Sequence, residues 1–237
     1  MDLGLRDRVA LVTASSRGLG FASAKALVDE GARVTICARD AERLREAAES
    51  LGEGVLAIPA DVTDPDAPRR LVEATVDRFG ALHVLVANAG GPPRARALDV
   101  DDATLGAALE GNLLTSVRLV RAALPHLRAA GWARICLIAS SSVKQPIPDL
   151  ATSNTARAGL WGWAKTAAIE LADEGITLNV ACPGLHRTAR VREAGLEGRM
   201  GDPADFGKVI AFLCSEPAGF VSGAAVSVDG AGTLGLL

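Results

Sequence analysis

Seven short runs of apolar and β-branched residues recur along the chain, at 8–14, 33–38, 55–60, 83–89, 134–140, 176–182 and 224–230. Each is continuous, as in RICLIAS (134–140), rather than alternating apolar with polar positions. Continuous runs of this length read as strands covered on both faces, the condition of a parallel sheet. Between them the periodicity predicts helices at about 19–30, 40–50, 65–79, 102–130, 151–174 and 203–214. Asp40 and Asp64 stand where N-caps belong, and Pro65 follows at a suitable first helical position. Strand–helix alternation along the whole chain predicts a doubly wound α/β architecture, a parallel sheet in three layers. No repeat, linker or low-complexity tract divides it, so residues 1–237 read as one domain.

Composition narrows the class. With 49% hydrophobic and 22% charged residues the chain can bury a sizeable core. A net charge of −3 and the lack of any Lys/Arg run argue against a nucleic-acid partner. The opening MDLGLRDRVALV lacks the layout of a signal peptide, and apolar runs such as ICLIA are too short to span a membrane. Four widely spaced cysteines, Cys37, Cys136, Cys182 and Cys214, form no Cys-x-x-Cys pair. They read as buried free thiols in a reducing cytoplasm, with no metal site and no disulfide.

The first strand runs directly into TASSRGLG, which holds Thr13, Ser15, Ser16, Arg17, Gly18, Leu19 and Gly20. A glycine turn between strand and helix brings backbone N–H groups and the helix N-terminus to a pyrophosphate. The second strand ends in Ala38 and Arg39, where an acid would hold a free ribose 2′-hydroxyl. Arg17 and Arg39 can instead converge on a 2′-phosphate, which favours NADP(H) over NAD(H). Asp40 is open to two readings, a helix cap or an NAD-type ribose acid. Downstream, Asp61-Val62 ends the third strand and Asn88-Ala89-Gly90 the fourth, so both turns would line one crevice at the strand ends.

With these motifs in order, together with Asn112, Ser140, Asn179 and PGLHRT (183–188), the chain resembles the short-chain dehydrogenases/reductases over essentially its whole length. One departure is Ala14, at the family's first glycine. The resemblance implies a Rossmann-like domain of about seven strands carrying NAD(P) across its strand ends. Asp61 and Val62 would border the adenine, and Asn88, Ala89 and Gly90 the adenosine ribose and adjoining phosphate. Pro183, Gly184 and Thr188 would sit by the nicotinamide.

The family's catalytic residues are Asn, Ser, Tyr and Lys. Asn112 and Ser140 match the first two, whereas the spacing from Ser140 puts Ser153 at the tyrosine and Arg157 at the lysine, and the chain has no tyrosine at all. Arg157 keeps the positive charge and can bind ribose hydroxyls, but its proton is not available at neutral pH. Other nearby proton carriers are Lys144, His186 and water. The stretch from 189 to 202 leaves room for only a shortened substrate lid.

Two functions are consistent with these residues. One is an oxidoreductase that moves hydride between NADP(H) and a small carbonyl or alcohol. The other is an inactive dinucleotide-binding homologue. The resemblance also implies a homo-oligomer, dimer or tetramer, paired through the helices at 102–130 and 151–174, the second of which is rich in Gly and Ala.

Overall fold

The computed structural model describes residues 1–235. The strands are β1 (Val9–Val12), β2 (Arg33–Ala38), β3 (Val55–Pro59), β4 (Val84–Ala87), β5 (Ala133–Ile138), β6 (Ile176–Pro183) and β7 (Ala225–Val228). They form one parallel sheet in the order β3-β2-β1-β4-β5-β6-β7. The helices are α1 (Gly18–Asp29), α2 (Ala41–Leu51), α3 (Ala67–Phe79), α4 (Asp102–Leu109), α5 (Thr115–Ala129), α6 (Ala151–Glu170), α7 (Ala189–Glu193) and α8 (Pro203–Leu213).

The continuous apolar strands divide residue by residue between two cores, because successive side chains leave a strand on opposite faces. Leu11, Leu85, Ile135, Leu137, Leu178 and Val180 pack with Leu71 of α3, Leu119 and Ala123 of α5 and Leu160 of α6. Their neighbours Ala10, Val12, Val84, Val86, Cys136 and Ile138 pack with Leu27 of α1, Leu44 of α2 and Phe206 and Ile210 of α8. The central strands are therefore largely apolar on both faces, with Arg134 of β5 and Thr177 and Asn179 of β6 as buried exceptions.

Three boundaries are set by short polar caps. Asp40 accepts from the Arg43 N–H (3.0 Å), Asp101 from Thr104 (2.7 Å) and Asp202 from Ala204 (2.9 Å). The predicted cap at Asp64 is displaced. Its carboxylate accepts from the Asp66 N–H in a tight turn, and α3 begins at Ala67 with Pro68 in its first turn.

The helix expected over 102–130 is α4 and α5 joined by a π-helical turn, Glu110–Leu114. The longer register rotates the side chains of this turn, and Asn112 comes out buried within it. The helix expected to run to 174 ends as α6 at Glu170, with a short 3₁₀ turn, Ala172–Glu174, before the left-handed Gly175. The four cysteines are buried and free. No helix among the described residues is long and apolar enough to cross a membrane.

Candidate active site

The strand order reverses between β1 and β4, and the crevice outside their carboxyl ends is where an open parallel sheet takes its ligand. The turn after β1 forms one wall. Thr13 Oγ1 donates to the Asn88 carbonyl (2.7 Å) and accepts from the Asn88 N–H (2.8 Å), while Asn88 Nδ2 donates to the Ala14 carbonyl (3.0 Å). These bonds tie the β1 turn to the β4 turn, so Asn88 is a bracket across the switch point.

Ser15 is buried and donates to the Val12 carbonyl (2.7 Å), which makes it part of the turn's own scaffold. Gly20 is held by close packing: a Cβ there would stand 2.5 Å from the Ala14 carbonyl oxygen and 2.7 Å from Asn88 Nδ2. Gly18 has φ of +62°, and Ala14 has φ of +46°, the left-handed conformation that glycine adopts without strain. A Cβ at Gly90 would meet nothing within 4 Å, so this wall faces open space. A glycine turn at a helix N-terminus beside an open wall fits a dinucleotide pyrophosphate. Ser16, Arg17 and Gly18 also border a cavity of about 830 Å³ on the outer side of this turn, among α1, α2, α8 and Thr188.

Beyond the end of β3, Asp61 Oδ1 accepts from Thr63 N–H (3.0 Å) and Thr63 Oγ1 (2.8 Å), bonds that hold its carboxyl below the usual carboxylate range. Arg39 stands 3.9 Å from Asp61 with its side chain 79% exposed, free to swing to a ligand. Asp40, left open above, is occupied in capping α2 and pairing with Arg43 (3.3 Å). Val62 is buried against Leu71 and its core neighbours.

At the opposite end of the crevice, Ser140 leaves β5 and its Oγ accepts from the Ser142 N–H (3.1 Å). This caps a 3₁₀ turn, Ser141–Val143, on which α6 packs. The first turns of α6 bury Ser153 and, four residues on and on the same side, Arg157, which is only 6% exposed. The Arg157 guanidinium donates from Nη1 to the Ile138 carbonyl (2.9 Å) and from Nη2 to Asn112 Oδ1 (2.9 Å). Asn112 Nδ2 in turn donates to the Ala108 carbonyl (3.3 Å). The π turn, the end of β5 and the start of α6 are therefore joined at one cation. Burial, followed by the neighbouring charge of Arg190, pushes the Arg157 pKa down to about 10, so it is still charged at neutral pH.

Between Thr188 and α8 the chain forms one short helix, α7. Gly184 lies so close to Asp229 that a Cβ there would stand 2.8 Å from the Asp229 Cβ. Thr188 caps α7, accepting from the Val191 N–H (3.4 Å), and its methyl would lie 3.6 Å from a Cβ on Gly18. Glu193 at the end of α7 pairs with Arg17 (3.3 Å), and a Cβ at Gly91 would overlap the Arg190 guanidinium. Thus α7 bridges the turn after β1 and the turn after β4. His186 is turned away from the crevice: its Nδ1 meets the Gly184 carbonyl (3.1 Å) and its ring packs edge-on against Phe206. The sequence reading missed Arg190, one of three arginines between 187 and 192, with nothing local to single it out.

A parallel sheet, a glycine turn at its switch point and an Asn112–Arg157 pair at the end of β5 are the frame of a dinucleotide-dependent oxidoreductase type. The chain belongs to the short-chain dehydrogenase/reductase family. A family model described as enoyl-(acyl carrier protein) reductase matches residues 13–233. The chain is 31% identical to dehydrogenase/reductase SDR family member 4 of Homo sapiens, over 95% of this chain and 87% of that protein. It is 34% identical to cis-4-hydroxycyclohexanecarboxylate dehydrogenase of Sinomonas cyclohexanicum, over 97% and 98%. Among solved structures it superposes on L-sorbose reductase of Gluconobacter frateurii, crystallised with NADPH and L-sorbose. That match has a TM-score of 0.91 and 32% identity, over 97% of this chain and 98% of the other.

Proposed function

We propose that this protein transfers hydride between NADP(H) and a small carbonyl or alcohol, using an active site in which an arginine replaces the usual lysine. The observation that carries the reading is the Arg157 guanidinium, buried between Asn112 and the end of β5 at the head of α6. A buried guanidinium is costly unless hydrogen-bond acceptors, a ligand or an ion partner take up its donors. In this position its remaining N–H groups would take the part of the family's lysine on the nicotinamide ribose.

The cofactor supplies the hydride when bound. Gly18, Gly20 and the α1 N-terminus would hold its pyrophosphate, Asp61 and Val62 its adenine, and Pro183, Gly184 and Thr188 its nicotinamide. Arg17 and Arg39 would take the 2′-phosphate, a reading helped by Asp40 being engaged on α2. Ser140 would polarise the substrate oxygen and Ser153 would hydrogen-bond it or orient a water, since a serine proton is not released at neutral pH. With His186 turned into the core, Lys144 or water would carry the proton. The short lid leaves that water access. The small residues Ala158, Gly159 and Gly162 lie exposed on α6, which supports a homo-oligomer paired there. The buried free thiols support a reducing cytoplasm.

The test is NADPH oxidation against a panel of ketones, aldehydes and quinones, with binding followed by NADPH fluorescence. Turnover with at least one class is expected. Binding without turnover across the panel would favour the second reading, a dinucleotide-binding homologue without catalysis, for which the lack of any tyrosine speaks.

A further inference from the structure

The two guanidinium groups assigned above to the 2′-phosphate are each met by a carboxylate from another part of the chain. Arg39 stands 3.9 Å from Asp61, at the limit of an ion pair. Arg17 is held more closely: its Nη1 donates to Glu193 Oε1 at 3.3 Å, across 176 residues of sequence. Asp61 also accepts from the N–H and hydroxyl of Thr63, whereas Glu193 has no second polar partner among the described residues.

The backbone, and not the ion pair alone, brings Glu193 to this place. Glu193 is the last residue of α7, and Thr188 caps the other end of that helix by accepting from the Val191 N–H (3.4 Å). The helix closes at Ala194 and at Gly195, which has φ of +60°, and their N–H groups return to the carbonyls of Arg190 and Arg192 (3.0 Å each). The Thr188 methyl lies against Gly18, 3.6 Å from where a Cβ would stand. With the first turn of α7 fixed beside Gly18, its last residue comes to the neighbouring Arg17. Both side chains of the pair are more than half exposed, at 51% and 63%, so a ligand can reach either one.

From this arrangement we infer that Glu193 is a specificity-determining residue for the cofactor, its carboxylate holding Arg17 as an internal competitor of the 2′-phosphate. The inference rests on the reading of Arg17 as a ligand of that phosphate. A phosphate brings greater charge and more acceptor oxygens than a carboxylate, so it takes the guanidinium over. A cofactor with a free 2′-hydroxyl has no such claim on Arg17 and leaves the pair intact. Displacing Glu193 therefore weakens NADPH binding and leaves NADH binding alone, and the acid narrows the gap between the two. Exposed ion pairs change an equilibrium constant by up to about fivefold, and salt screens them. The expected effect is of that size.

Titrations with NADPH and NADH, followed by nucleotide fluorescence at low salt and again at molar salt, test this. At low salt Glu193→Gln should tighten NADPH about threefold to fivefold and leave NADH unchanged, and the gain should shrink at molar salt. Glu197, exposed and outside every ion pair among the described residues, is the control: Glu197→Gln should leave both constants as they were. In an Arg17→Ala background the gain from Glu193→Gln should vanish, because the carboxylate then has no guanidinium to hold. An unchanged NADPH constant in Glu193→Gln would overturn the inference, as would an equal gain from Glu197→Gln or a gain that persists without Arg17. A gain shared equally by NADH would assign Arg17 to the pyrophosphate common to both cofactors and also overturn it. Failure of the 2′-phosphate reading shows separately. Arg17→Ala would then leave the ratio of the NADPH and NADH constants unchanged, where that reading requires a fall in preference of about tenfold, and the inference would fall with it.

Discussion

Arg157 keeps one property of the lysine it replaces and loses another. Its charge and donors persist, but no group at this position releases a proton near neutral pH. Replacing it with alanine should raise the NADPH Kd about tenfold, the loss of a hydrogen bond to a charged group. The same change leaves the Ile138 carbonyl and Asn112 Oδ1 without their donor, so thermal unfolding must be measured alongside the fluorescence titration. An unchanged Kd in a folded variant would remove Arg157 from the cofactor site. Ser153→Ala should leave NADPH binding nearly unchanged and reduce turnover only modestly. A collapse of turnover with binding intact would instead make this serine the proton donor. Ala14 carries a different expectation. It holds φ of +46°, which costs an L-residue about 1–2 kcal/mol, so Ala14→Gly relieves strain while loosening the unfolded chain by roughly 0.4–1 kcal/mol. The net should be a rise in Tm of about 1–4 °C, measured by calorimetry. A lower Tm would show that the turn has no strain to release.

Among the elements, the turn from β2 into α2 sets the nucleotide preference. Its acid, Asp40, is committed to the first turn of α2, and its base, Arg39, is exposed and held only by a long pairing with Asp61. Exposed pairs of this kind contribute about 0–1 kcal/mol, so a 2′-phosphate can displace Asp61 easily. Arg39→Ala should therefore weaken NADPH about tenfold and leave NADH nearly unaffected, by calorimetry at fixed salt. Equal dissociation constants for the two cofactors in the unaltered protein would refute the preference. The π turn at 110–114 illustrates a second element-scale effect. One added residue in a helical turn is what puts Asn112 beside Arg157, where Nη2 can reach its side-chain oxygen.

For the whole molecule, the open question of assembly falls on α5 and α6. The outer side of α6 carries Ala158, Gly159, Gly162 and Ile169, and Ile169 is 68% exposed. Small residues allow two helices to approach closely, and the exposed isoleucine gains from being covered. Gly159 has a second duty, since a Cβ there would stand 2.8 Å from Leu113 Cδ1 of the π turn. Sedimentation should show a dimer or tetramer at micromolar concentration, and Gly162→Glu, where a side chain meets open space within the monomer, should shift it to monomer without unfolding. A monomer in the unaltered protein would reject the assembly.

Much of this arrangement is local and so was legible in the sequence. Strand runs are continuous because both faces are buried, and the glycine turn, Asn88, Asp61 and Ser140 all follow directly from their strands, so counting along the chain located them. The family's spacing from Ser140 named Ser153 and Arg157, and both lie buried on one side of α6. Where counting failed, a local turn or contacts between distant segments decide the outcome. Asp64 yielded its capping position to Asp66 because the turn before α3 closes on itself, and the long helix broke at Glu110–Leu114. His186 and Lys144 were equivalent as sequence candidates. Only packing against Phe206 took the histidine out of the crevice. Arg190 was invisible for the same reason: its guanidinium lies across Gly91, a hundred residues earlier in the chain. Burial and charge balance are properties of a completed surface, and a sequence does not specify them until the chain has closed on itself.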